Sequence, residues 1–451
     1  MSDKRILVIG TTPDYISYIH FNYHNRALFV TDSATQSKSM ENKPDDRSEL
    51  VCDLSHYDTV VRLIIHHCRQ WKIDISGITC FDCEYLELAA NIATFFSLPF
   101  PSAKSIALCR SKYLSKQTWA EYGVRCPQFE LVESEFDTIR FVRELEHPIV
   151  LKPLTGSGSE LTFQCNDIYE VFNAYRAVKN GLKIRENLPM YRRPKEEGIE
   201  SESETPILAE EFIFGREYSC DFIINNNTAT IIRIAKKILD KDLPFGTTTE
   251  YIIPARLPEW INRSQLTEML KEAALALGIN RAICMIDFVI AKDEVVFLEL
   301  TPRIGGDCLP PTIKQSCGLD MIGLALDFSE GKTIYIPPEY KWRYMVGLRL
   351  FAPMEGKLVK IDTGNLDKDQ RIREIMLKRS RGDIINLPPE DYETWHLGHV
   401  IFETDANSDI EKQSREIRSK IQIKMEPYDG SDFTESIQPD STTVRKTDSA
   451  A

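Results

Sequence analysis

Residues 282–303 read Ala282-Ile-Cys-Met-Ile-Asp287-Phe-Val-Ile-Ala-Lys-Asp-Glu-Val-Val-Phe-Leu-Glu299-Leu-Thr301-Pro-Arg303. Two strand-length apolar runs, Ala282 to Ala291 and Val295 to Thr301, flank the polar Lys292-Asp293-Glu294 and predict an antiparallel hairpin. With the turn centred on Asp293, Asp287 falls opposite Glu299, and side-chain alternation puts Asp287, Glu299 and Thr301 on one face. Facing carboxylates repel unless one is protonated or a cation lies between them, and Mg²⁺ takes carboxylate oxygens together with nucleotide phosphates. The hairpin therefore reads as a metal site; the plainer alternative is an edge strand with one carboxylate in solvent. Arg303 opens Arg-Ile-Gly305-Gly306-Asp307, where the glycines permit close backbone approach and the guanidinium offers a planar fork to a carboxylate or phosphate. A structural arginine on a tight turn would look the same.

Upstream, the apolar strand Pro148 to Leu151 delivers Lys152 into the small-residue loop Gly156-Ser157-Gly158-Ser159. Such a loop offers unobstructed backbone N–H groups to phosphate oxygens, although a flexible turn has the same composition and neither the P-loop nor the dinucleotide fingerprint is present. Ile207 to Ser219, containing Glu210-Glu211-Phe212-Ile213 and Glu217, reads as strand, glycine turn and strand. It can present backbone groups to an adenine edge and a carboxylate to ribose hydroxyls, or be an ordinary edge strand. Lys236, Lys237 and the Phe245 to Glu250 segment, with Thr249 and Glu250, follow a second predicted hairpin, Glu217 to Ile224 with Thr228 to Leu239, and are candidate pocket walls.

Moving outward, Arg5 to Gly10, Ala27 to Thr31 and Gly77 to Phe81 are strand-like, and helical periodicity recurs at Asp58 to Trp71 and Glu84 to Phe96. Alternating strands and helices predict an α/β parallel-sheet domain over 1–105. Hairpins and helices at Ser111 to Tyr122, Thr138 to Glu146 and Gln265 to Leu277 predict an α+β domain over 106–335. The charged stretch 185–206 is expected to be a solvated insertion carrying little chemistry, 336–428 a small C-terminal α+β domain, and 429–451 a disordered polar tail.

The chain has 451 residues, 42% hydrophobic and 27% charged, with a net charge of −13. That composition is globular, and the negative charge disfavours a nucleic-acid partner. Eleven scattered cysteines fit a reduced compartment better than a disulfide framework, and Cys80 and Cys83 lack the second pair a zinc finger needs. Four apolar residues before Gly10 are too few for a signal-peptide core, and no run approaches the ~18 residues of a membrane span. A cytoplasmic protein with no membrane contact is expected.

In order, Arg110-Ser-Lys112 opening a helix, Lys152 with its glycine loop, Glu210 to Glu217, Asp287 and Glu299-Leu-Thr-Pro-Arg303 resemble the ATP-grasp superfamily, over residues 1 to about 425. The resemblance implies an N-terminal α/β domain followed by a two-lobed ATP-grasp domain, and a ligase that activates a carboxylate as an acyl phosphate and joins it to an amine. It implies ATP and Mg²⁺ (or Mn²⁺) as cofactors, and small carboxylate and amine substrates. Lys112 and Lys152 would contact phosphates, Gly156 to Ser159 would form the lid, Glu210 to Ile213 would bind adenine, and Glu217 would hold ribose. Asp287 and Glu299 would hold the metal and Arg303 would stabilise the acyl phosphate. The family pattern ends Glu-x-Asn where this chain has Thr301, a shorter and differently directed donor; water or Asp307 would have to fill the gap. A homodimer is a family-level expectation, and a biotin carboxylase-like enzyme or a non-catalytic ATP-binding protein is the alternative.

Overall fold

The computed structural model describes residues 3–37, 43–193, 206–405 and 407–428; the expected polar tail, and most of the expected insertion, lie outside these. Strands β1 (Asp3–Ile9), β2 (Ala27–Thr31), β3 (Glu49–Val51) and β4 (Ile73–Thr79) form a parallel sheet in the order β3-β2-β1-β4. Ile6, Leu7, Val8 and Ile9 are wholly buried, as in a strand covered on both faces. Helix Tyr57–Trp71 turns Val60, Val61 and Ile64 into the same core.

Next come β5 (Phe129–Val132), β6 (Ile149–Lys152), β7 (Phe163–Cys165) and β8 (Ile207–Glu211), an antiparallel sheet ordered β5-β8-β6-β7. The remaining long strands are β9 (Arg216–Asn225), β10 (Thr228–Leu239), β11 (Thr248–Ile253), β12 (Arg281–Ile290), β13 (Val295–Thr301) and β14 (Tyr344–Phe351). They are followed by β15 (Gly356–Asp362), β16 (Ile372–Leu377), β17 (Ile384–Ile385), β18 (His396–Thr404) and β19 (Gln422–Glu426). Eight of these make one sheet, β13-β12-β9-β10-β11-β14-β18-β16, while β17-β15-β19 form a small separate one. The sheet thus runs unbroken across the division expected at 335/336: β14 pairs with β11 from Glu250 opposite Leu348 to Ile253 opposite Met345.

Residues 185–193, the first part of the expected solvated insertion, are mostly exposed, but Arg185 is buried and donates to the carbonyls of Pro389 and Glu390, and Tyr191 is buried. All eleven cysteines are free, and the Sγ of Cys83 lies 3.1 Å from Arg303 Nε.

Candidate active site

The hairpin β12–β13 forms in the predicted register, Asp287 opposite Glu299 and Met285 opposite Thr301, with a bulge after Asp287. Both carboxylates line a cleft of about 110 Å³ between the β5-β8-β6-β7 sheet and the eight-stranded sheet. Lys237, from β10, reaches under them, its Nζ 3.2 Å from Asp287 Oδ2 and 3.2 Å from Glu217 Oε2. Burial pushes the Asp287 carboxyl pKa up, with Glu299 and Glu217 adding to it against Lys237. Burial works the same way on Glu299, but Lys112, Lys152, Lys237 and Lys116 outweigh it and hold that carboxyl low. Asp287 Oδ1 is buried without a hydrogen-bond partner.

The opposite wall is cationic for local reasons. Ser111 caps helix Lys112–Glu121, its Oγ accepting from Leu114 N–H, and this sets Lys112 at the first helical position. Lys112 Nζ donates to the Gly156 carbonyl at 2.8 Å and lies 3.7 Å from Glu299 Oε2. Lys116, four residues on and so on the same helix face, is wholly buried. Its ammonium donates to the Leu298 carbonyl at 2.8 Å and sits 2.7 Å from Glu210 Oε1. On β6 and β8, Val150 pairs with Glu210, so Lys152 lies diagonal to Glu210 on the same face and closes to 2.7 Å from its other oxygen. Burial lowers the Lys116 pKa to about 8, while Glu210, desolvated as it is, stays below its ordinary value because two ammoniums face it.

The glycine loop is held open by its own backbone: Gly156 and Gly158 have φ of +122° and +68°, values L side chains rarely adopt. Tyr191 packs against Gly156 and donates its hydroxyl to Glu160 Oε2 at 2.5 Å, and Ser159 Oγ donates to the Gly246 carbonyl at 3.2 Å. Val150, Ile213, Val289 and Leu298 supply apolar surface to the same cleft.

Of the residues singled out from sequence, Lys112, Lys152, Gly156, Ser157, Gly158, Ser159, Glu210, Glu211, Phe212, Ile213, Glu217, Lys237, Asp287 and Glu299 all line this cleft. Others do not. Lys236 pairs with Tyr218 and Ile252, and alternation turns it away from Lys237. Glu250 is buried against the C-terminal helix, 3.9 Å from Arg418, and Thr249 bonds the Ile238 carbonyl. Gly305 N–H donates to Asp221 Oδ1 at 2.8 Å. Asp307 turns to Arg349, Oδ2 to Nε 2.5 Å, rather than to the carboxylate pair, so it does not stand in for the missing asparagine. Arg303 bonds Cys83 Sγ and the Ile304 carbonyl and lines a second, smaller cavity with Gly305 and Gly306 close behind it.

Sequence reasoning missed Lys116, Tyr191 and Arg349. Lys116 had a signal, its spacing of four from Lys112, and Arg349 is a lone charge in the apolar Met345 to Phe351 run. Tyr191 had none.

Residues 145–311 match the ATP-grasp domain family. An uncharacterised protein of Sinorhizobium fredii is 25% identical over 304 residues, 64% of this chain and 56% of that protein, so the chain spans little more than half of that relative. The D-alanine–D-alanine ligase of Cupriavidus taiwanensis is 23% identical over 249 residues, 52% of this chain and 68% of the ligase. The L-amino acid ligase from Bacillus licheniformis superposes with a TM-score of 0.72 at 20% identity, covering 94% of this chain and 100% of that one. The biotin carboxylase domain of the Hydrogenobacter thermophilus 2-oxoglutarate carboxylase, a complex with MgADP, ADP and bicarbonate, gives 0.63 at 14% identity over 94% and 91%. The likeness to the ATP-grasp domain thus covers residues 145–311, and the fold shared with these solved structures extends over most of the chain.

Proposed function

We propose that this chain is an ATP-dependent carboxylate–amine ligase acting on a small carboxylate, such as an amino acid, and releasing ADP and phosphate. The observation that carries the reading is the pair Asp287 and Glu299, facing each other across a cleft whose other wall holds Lys112, Lys152 and the Gly156 to Ser159 loop. Such a donor set suits Mg²⁺, because two carboxylates leave coordination places for phosphate oxygens, and the unpartnered Asp287 Oδ1 is an oxygen awaiting a cation. No group of three or more His, Cys, Asp or Glu gathers among the described residues. Thr301 is the remaining proposed ligand position. The ion would neutralise phosphate charge during transfer.

The chain's own groups do the rest. Lys112 and Lys152 face the phosphates, Glu210 holding Lys152 in place. The aliphatic walls and the backbone of Glu211 to Ile213 take adenine, and Glu217 takes ribose. Glycine-loop closure keeps water from the acyl phosphate. Arg303, fixed through Nε and Nη1, stabilises the anionic oxygens of the acyl phosphate and of the species formed when the amine attacks. On this reading 1–105, 106–335 and 336–428 are the N-terminal, ATP-grasp and C-terminal parts of a cytoplasmic, homodimeric enzyme. No helix among the described residues is long and apolar enough to cross a membrane.

The test is Mg²⁺-dependent ADP release across pools of amino acids and small carboxylates with amines, with mass spectrometry of every positive mixture. A condensed product lacking one water establishes ligation. Release that requires bicarbonate instead points to a carboxylase, and tight ATP binding with no release from any pool points to a binding protein.

A further inference from the structure

Arg303 does not line the proposed nucleotide cleft; it lines a neighbouring cavity of about 40 Å³ between β4 of the parallel sheet and β12 of the eight-stranded sheet. The walls come from the end of β4 and Phe81, the Pro99 to Pro101 turn, the start of β12, Ile304 and helix Met321–Ser329. Arg281 and Ile283 share the β12 face of Asp287, since odd positions of a strand lie together. Two residues advance a strand about 7 Å, so the cavity begins roughly 13 Å along the strand from Asp287, with Arg303 beside the path. Arg303, which the ligase reading sets beside the acyl phosphate, lines this space as well, so the remainder of the acyl donor would lie in it.

The size and lining narrow what fits. About 40 Å³ has room for roughly three waters, hence for about three to five heavy atoms: one carboxylate and the one or two methylenes that lead to it. Phe81, Phe100, Ile283 and Ile304 are apolar, and the two charged residues lining the cavity are both arginines. Arg281 Nη2 donates to the Phe328 carbonyl at 2.7 Å and its guanidinium lies 4.3 Å from the Phe328 ring centroid. Burial lowers its pKa, and among the described residues no carboxylate forms an ion pair with it. A part-buried cation without a counter-ion is costly, and an incoming anion recovers that cost.

We infer that this cavity selects a short carboxylate carrying a second anionic group, a dicarboxylate, with one end at Arg303 and the other at Arg281. The inference rests on the ligase reading above and names its acyl-donor class.

The experiment is calorimetric binding to the full chain in the presence of Mg²⁺ and a non-hydrolysable ATP analogue, comparing glutarate with pentanoate and succinate with butyrate. Each dicarboxylate should bind about tenfold or more tightly than its monocarboxylate partner. Arg281→Met should bring that ratio close to one while the analogue still binds, and Arg281→Lys should keep part of it. Equal binding of the pairs by the unaltered chain, a ratio indifferent to Arg281→Met, or no binding of either acid overturns the inference. Analogue binding is scored by itself, so loss of ATP recognition, which sinks the ligase reading, is told apart from loss of dicarboxylate preference. It also reports whether each variant is folded.

Discussion

The Lys152 ammonium lies 2.7 Å from Glu210 Oε2, a carboxylate that the sequence alone offered as an adenine contact. Its other oxygen is taken by Lys116 at 2.7 Å, so Glu210 is a bridge between two lysines rather than a free reader of the base. Removing one member of a buried ionic group leaves its partners uncompensated, at about 3–5 kcal/mol. Glu210→Gln should lose that much in urea unfolding, and Lys116→Met added to Glu210→Gln should recover part of it in a double-mutant cycle.

Lys116 also sets a pH dependence. Its folded-state pKa of about 8 lies below the ordinary lysine value of 10.5, so between these pH values the unfolded chain binds more protons. Below about pH 8 the cost of burying the charge is present in full, and stability from this group rises as pH climbs towards 10.5. Unfolding of the unaltered chain and Lys116→Met at pH 7 and pH 9.5 should show the difference moving by about 1–2 kcal/mol in favour of the unaltered chain.

Asp287→Asn removes a carboxylate that two things contest, Lys237 and the proposed cation. Substrate-dependent ADP release should fall about 10²–10³-fold, as for loss of an electrostatic stabiliser, while thermal stability changes little. An activity within threefold of the original would mean that Asp287 holds no metal.

Thr301→Asn would put a longer amide oxygen opposite Met285, two residues along from Glu299 on the same strand face. Half-saturating Mg²⁺ in the ADP-release assay should drop several-fold, on the order of the 10-fold effects seen on altering a metal's surroundings. An unchanged Mg²⁺ curve would show that Thr301 lies outside the coordination sphere.

A Cβ at Gly305 would meet Arg233 Nη2 at 2.7 Å, Leu309 Cδ1 at 3.0 Å and Asp221 Oδ1 at 3.2 Å. Arg233 and Asp221 are a wholly buried pair, 2.7 Å apart, so they cannot yield cheaply. Gly305→Ala should cost about 1–3 kcal/mol by overpacking and, by shifting Arg303 two residues away, lower turnover more than ATP binding. Equilibrium unfolding and ATP titration together check both halves.

The cleft lined by Asp287, Glu299 and Lys152 was legible because it is built from local patterns. The 282–303 hairpin carries its register in a period-two alternation and a short turn, and Lys152 with Gly156 and Gly158 announces itself within seven residues. What escaped was long-range. Arg349 meets Asp307 only because β14 joins β11 across some ninety residues of chain, and Glu250 faces the C-terminal helix because that same pairing decides which side of the sheet is which. Adjacent positions such as Lys236 and Lys237 look alike in sequence, and only strand register separates the one in the cleft from the one turned away. Tyr191 sits in a polar run whose composition concealed an anchor for the glycine loop.

The β11–β14 pairing has one more effect. A chain ended before Tyr344 would leave β11 with bare amide and carbonyl groups, a template for any passing strand and so an aggregation hazard. The C-terminal segment acts as a built-in guard: a truncated protein should be found in the pellet before it is found inactive.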